Sequence, residues 1–203
     1  MDLTGVRHHS PAQLAAADRE AGVLAPVIEH KGEREQGYSV LFTKRSEQLG
    51  EHPGQMSFPG GGREPHDTDL QATALRESHE EIGLRPAEAT VVGSLDDIET
   101  STHYLVRPFV ATVPDRQYTP DHNEVAKIVR LPVAELIDPE NYESERREHP
   151  EYGPIRIHFF HVDGYIVWGA TGEMVAQLLE LTTDWRIPPA VDRVVDADAE
   201  LPN

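Results

Sequence analysis

Residues Gly60–Leu84 read GGGREPHDTDLQATALRESHEEIGL. From Leu70 to Ile82 the segment predicts a helix, with Ala72, Leu75, His79 and Ile82 recurring at helical spacing on one side. Asp67, Thr68 or Asp69 can cap its start, and Gly83 ends it as a C-cap glycine. On this helix Glu77, Glu80 and Glu81 stand at i, i+3 and i+4, which places their Cβ atoms about 5–6 Å apart on one face. Carboxylates so placed repel one another by a few tenths of a kcal/mol per pair on an exposed helix. Only Arg76 is near enough in sequence to offset that repulsion. A divalent cation would turn the cluster into a ligand set, and ligands that are all oxygen favour Mg²⁺ or Mn²⁺ over zinc. A solvated acidic face is the plain alternative. The context favours a site: Phe58-Pro59-Gly60-Gly61-Gly62 runs closely ahead of the helix, and glycines let backbone N–H groups approach a phosphate. Three glycines alone also make a simple tight turn.

Outward from this segment, Val23–Ile28, Tyr38–Thr43, Val91–Leu95, Tyr104–Val113 and Val125–Leu131 predict strands. Ile155–Val162 and Tyr165–Trp168 flank Asp163-Gly164, a strong hairpin signal. Thr171 can cap a last helix with Met174, Val175, Leu178 and Leu181 as its apolar stripe, and Ser10-Pro11 marks a helix start over about residues 10–19. Asp138–Pro154 is charged and turn-rich and reads as a solvated loop or a lid. Strands outnumber helices and mix with them irregularly, which predicts an α/β fold with a mixed sheet. The expected organisation is one domain over residues 1–183 and a loosely held polar tail over 184–203.

Composition narrows the function. The 203 residues carry 18 Lys+Arg against 36 Asp+Glu, a net charge of −18, which argues against nucleic acid or an anionic membrane as partner. There is no cysteine, so disulfides, thiolate zinc sites and cysteine nucleophiles are excluded. The N-terminal stretch lacks the plan of a signal peptide, so a cytoplasmic protein is expected. Only Lys31, Lys44 and Lys127 are lysines. Arginine preference joined to acid excess suggests a salt-rich cytoplasm; an ordinary acidic protein from a GC-rich genome is the alternative.

Arg76–Leu84 resembles the core of the Nudix box, G-x5-E-x7-R-E-U-x-E-E-x-G-U, with Gly62 at the first glycine. Thr68 stands where the box has its first glutamate, Asp67 is one residue away, and Ser78 replaces an apolar residue. Leu41–Ser46 and Gly54–Gly61 resemble the coenzyme A pyrophosphatase signature L-L-T-x-R-S-x3-R-x3-G-x3-F-P-G-G, with Phe42 for a leucine and Gly50 for an arginine. Trp168-Gly169-Ala170-Thr171 is similar to the W-G-x-T segment of that branch.

The resemblance implies a Nudix α/β/α sandwich with a mixed sheet, Mg²⁺ or Mn²⁺ as cofactor, and a small nucleotide, coenzyme A or its acyl derivatives, as substrate. It implies Glu77, Glu80 and Glu81 as metal ligands, Arg76 as the group that orients them, and Glu124 as a further acid for a second metal or for water. Arg45, Phe58, Gly60, Gly61 and Gly62 are implied at the substrate, and a homodimer follows from family habit. Another Nudix substrate, such as ADP-ribose or a dinucleotide polyphosphate, and a non-catalytic nucleotide-sensing domain are the rival expectations.

Overall fold

The predicted box helix forms with the expected bounds. The computed structural model describes residues 1–32, 36–46, 54–100, 103–149, 153–196 and 199. In chain order it contains α1 (Thr4–His8), β1 (Glu20–Lys31), β2 (Gln36–Arg45), β3 (Met56–Ser57), β4 (Gly60–Gly62), α2 (Leu70–Ile82), β5 (Thr90–Ser94), β6 (Ile98–Glu99), β7 (Leu105–Val113) and β8 (Val125–Pro132). There follow α3 (Val133–Leu136), β9 (Tyr142–His149), β10 (Gly153–Val162), β11 (Tyr165–Val167), α4 (Gly169–Thr182) and β12 (Arg193–Val195).

The main sheet runs β3-β2-β1-β7-β5, with β8 beside β2, β4 beside β1 and β6 beside β7. β1 and β7 are parallel and the other pairs antiparallel, so the sheet is mixed as expected. Strand alternation sends Leu24, Ile28 and Leu41 to one face, where α2 brings Leu70, Ala74 and Ile82. Ala25, Val27, Val40 and Phe42 face the other way, into a core completed by α4 through Met174, Val175, Leu178 and Leu179. The result is an α/β/α sandwich. A second sheet, β11-β10-β9-β12, closes the α4 side. Its hairpin turns at Asp163-Gly164, both with positive φ (52° and 77°), as a two-residue loop of this kind requires.

Several expectations need correction. No helix forms over residues 10–19; the first helix is the short α1. The backbone groups that a helix would pair internally are taken by neighbours instead. Asp96 accepts from the Ala12 N–H and Asp97 from the Leu14 N–H, while the Ala12 carbonyl accepts from the Asp97 N–H. α4 begins at Gly169, before Thr171, because the Gly172 N–H already reaches the Trp168 carbonyl. The centre of Asp138–Pro154 is not a loop, since β9 occupies Tyr142–His149 and pairs with β10. Residues 184–196 are not loosely held: Trp185 packs edge-on against Tyr142 and β12 pairs in parallel with β9. The buried side of α2 is also rotated from the expected stripe. Leu70, Thr73, Ala74, Ser78, Glu81 and Ile82 face the sheet and His79 faces solvent.

Candidate active site

α2 is fixed at both ends by local chemistry. Asp69, in extended conformation, accepts the Ala72 N–H at 2.8 Å. Gly83 is left-handed (φ 66°) and its N–H bonds back to the His79 carbonyl. Ser78, the polar residue at an apolar box position, is fully buried and donates to the Ala74 carbonyl at 2.7 Å, so its hydroxyl leaves no unmet hydrogen bond.

Arg76 organises the acids. Its Nε and Nη2 donate to the two oxygens of Asp67 at 3.0 and 2.9 Å, a bidentate pair. Nη1 donates to Glu77 at 2.9 Å and Glu80 at 3.1 Å, and Nη2 also reaches the Gly62 carbonyl at 3.1 Å. Asp67 accepts in addition from the Glu64 N–H and the Thr73 hydroxyl. Its side chain is 3% exposed, and the Arg76 hydrogen bonds hold its carboxyl well below the usual range. Asp67, one position before Thr68, thus provides the acid that Arg76 grips.

Glu81 is buried, at 6% exposure, and accepts only the Gly60 N–H, at 3.2 Å, among the described residues. Burial pushes its carboxyl up to about 8, against the lowering effect of that N–H, and Glu77 and Glu124 add to the rise. Glu77 is also raised, first by burial and then by Glu80 and Glu124, against the opposing pull of Arg76. The three acids thus share one field. Gly61 forms the floor: a Cβ there would lie 2.6 Å from the Glu77 carboxyl carbon, so a larger residue would push that carboxylate aside.

Glu124 is exposed just before β8. It is brought to α2 by its loop, in which the Thr119 and Asp121 N–H groups bond to the Ile82 and Glu81 carbonyls. The Ser46 N–H donates to the Glu124 carbonyl, which joins the end of β2 to the same place. Arg45, the last residue of β2, acts electrostatically on Glu81, and its Nε is buried without a hydrogen-bond partner among the described residues.

The structure therefore gathers Arg76, Glu77, Glu80, Glu81, Glu124, Arg45 and the Gly60–Gly62 bend in one place. Phe58 does not belong to it: the ring is 3% exposed and stacks on Phe42 at 5.0 Å, so it anchors the glycine loop in the core. Gly50 lies outside the described residues. Among the described residues no three acidic or imidazole side chains converge as a ready-made metal cage. The reason is visible, since Arg76 draws Glu77 and Glu80 while Glu81 turns to the Gly60 N–H. The chemistry of the set still fits a divalent ion. Its oxygens are hard donors, and a buried carboxylate beside two others has a large unmet need for positive charge. A cleft of about 780 Å³ lined by His30, Ser39, Val133, Ile137, Leu181 and Trp185 contains none of these acids.

The profile of the NUDIX domain matches residues 18–152. The chain belongs to the Nudix family. It is 34% identical over 164 residues to an uncharacterized Nudix hydrolase NudL of Enterobacter sp. (strain 638), covering 79% of this chain and 81% of that protein. It is 33% identical over 174 residues to the NudL of Photorhabdus laumondii, covering 84% and 88%. Among solved structures, a MutT/nudix family protein from Enterococcus faecalis aligns with a TM-score of 0.49 at 11% identity over 80% of this chain and 54% of that chain. The M. smegmatis Nudix hydrolase RenU aligns at 0.48 with 20% identity over 58% and 72%. On the domain match and the two NudL relatives, the chain is a Nudix hydrolase.

Proposed function

We propose that this Nudix hydrolase cleaves the pyrophosphate bond of coenzyme A or an acyl-coenzyme A, with Mg²⁺ or Mn²⁺, to give 3′,5′-ADP and (acyl-)4′-phosphopantetheine. The observation that carries this reading is the buried Glu81, its carboxyl raised together with that of Glu77 and both acted on by the charge of Glu124, next to a guanidinium N–H left without an acceptor among the described residues at Arg45. Glu77, Glu80 and Glu81 would hold the ion. When bound there, the ion supplies charge neutralisation at the diphosphate oxygens and a more acidic attacking water.

The remaining steps belong to the chain. Arg45 donates its free Nε–H to a diphosphate oxygen, and the Gly60–Gly62 bend brings backbone close to the same group. Arg76 keeps Glu77 and Glu80 in fixed directions before substrate arrives. Glu124, exposed beside the buried acids, takes a proton from water as the water adds to one phosphorus and the bridging P–O bond breaks. Coenzyme A is favoured as substrate by the T-x-R-S and F-P-G-G residues that deliver Arg45 and the bend.

Turnover with Mg²⁺ on coenzyme A, ADP-ribose and diadenosine polyphosphates tests the reading. Coenzyme A is expected to be the best of the three. ADP-ribose preferred over it overturns the substrate assignment, and no turnover of any points to a sensing domain.

A further inference from the structure

The chain has three lysines and a net charge of −18. Lys31 is ion-paired with Glu29. The other two, Lys44 and Lys127, are direct cross-strand partners on β2 and β8, and neither has a carboxylate ion pair among the described residues. Like charges placed directly opposite on one face of a sheet destabilise it. With twice as many acids as bases available, their pairing is the least expected arrangement for these cations.

The place matters as much as the pairing. Phe42 and Val129, also cross-strand partners, lie two residues along on the same face and are buried in the α4-side core. Lys44 and Lys127 therefore finish that face where the strand ends. Arg45, the next residue, follows an irregularity in the β2–β8 register and lies near enough to Glu81 to act on its charge. The two cationic residues are thus neighbours at the end of one strand, with Cα atoms about 3.8 Å apart. On the lysine side, β11 supplies Tyr165, whose hydroxyl accepts a hydrogen bond from the Lys127 ammonium. That bond leaves the tyrosine's own proton directed to some other acceptor. Two ammonium groups and one hydroxyl form a set of donors with no carboxylate partner among the described residues.

We propose that Lys44, Lys127 and Tyr165 form a second anion subsite, which takes a phosphomonoester of the substrate while the diphosphate lies on the Arg45 side. For coenzyme A this group is the 3′-phosphate of the nucleotide, so the inference deepens the coenzyme A reading and rests on it. The subsite selects for substrates with a third phosphate and plays no part in bond cleavage.

The test compares wild type with Lys44→Gln/Lys127→Gln and, separately, Tyr165→Phe. Calorimetry at low ionic strength measures the binding of 3′,5′-ADP, 5′-AMP and inorganic phosphate. Wild type is expected to bind 3′,5′-ADP at least about tenfold more tightly than 5′-AMP, in line with charge-assisted hydrogen bonds to one extra phosphate. In the double variant the gap falls to about twofold or less, and in Tyr165→Phe it narrows partly. A gap absent from wild type, or unchanged in the double variant, overturns the proposal. So does inorganic phosphate binding as tightly as 3′,5′-ADP, which marks a general anion patch. Steady-state kinetics on coenzyme A and its 3′-dephospho form give the second readout: the ratio of their kcat/KM values collapses toward one in the double variant, through KM. If wild type hydrolyses neither compound while the lysine-dependent binding gap stands, the substrate reading fails and the subsite survives.

Discussion

Arg76 uses every N–H it has: two bonds to Asp67 and one each to Glu77, Glu80 and the Gly62 carbonyl. Removing its buried partner leaves a guanidinium without its main counter-charge, and breaking such a pair costs about 3–5 kcal/mol. Asp67→Ala is therefore expected to lower stability by roughly that amount in urea melts. The Asp67 carboxyl lies below its ordinary value of 3.8, so its stabilisation is complete above that value and is lost as pH falls through the lower folded one. The wild-type and Asp67→Ala melting curves should converge in strong acid. Glu81 has the opposite sign. Its folded value of about 8 lies above the ordinary 4.5, so ionising it burdens the native state increasingly from pH 4.5 to 8. Metal-free protein should melt lower at pH 8.5 than at pH 6 on this account. Glu81→Gln should flatten that slope, abolish the Mg²⁺-induced rise in Tm, and reduce turnover at least about 100-fold. A variant with the wild-type slope would remove Glu81 from the site. The glutamate cluster was legible from helical spacing, and Arg45 only through the resemblance of Leu41–Ser46 to the coenzyme A pyrophosphatase signature. The Asp67 role was not, because a loop residue one position off a pattern reaches its partner only through the course of the loop.

At the scale of elements, α2 and the hairpin at Asp163-Gly164 follow from local signals, a cap at each end and a turn that accepts positive φ. β9 does not. Its sequence, YESERREH, looks solvated because some of its charges find partners outside the segment. Glu145 is 3% exposed between Arg147 and Arg193, and Arg193 also pairs with Glu143, fifty residues away in sequence. Long-range neutralisation turns a charged run into a strand, and no local window contains it. The same segment brings Trp185 onto Tyr142 and Phe160. Trp185→Ala should cost about 2 kcal/mol from lost apolar burial, read as a shift in urea midpoint. A midpoint unchanged by the substitution would restore the picture of a detached tail.

The whole molecule carries its acid excess over a structure in which many of the cations already serve specific carboxylates, among them Arg63 with Glu20, Arg107 with Asp97 and Arg116 with Glu88. Local pairing leaves the net repulsion in place. Raising salt from about 0.1 to about 1 M shortens the screening length from about 10 to about 3 Å. Tm is expected to climb across that range; a flat or falling curve would favour an ordinary acidic protein over one suited to a salt-rich interior. The mixed α/β class could be read from the alternation of strands and helices, whereas the second sheet depended on contacts far apart in the chain. One connection binds these scales together. The loop with Glu124 is tied by two backbone hydrogen bonds to the last turn of α2, which carries Glu81. Thermal loosening of that turn would displace both acids as a unit, so their mutual spacing should outlast the alignment of either one with the glycine bend.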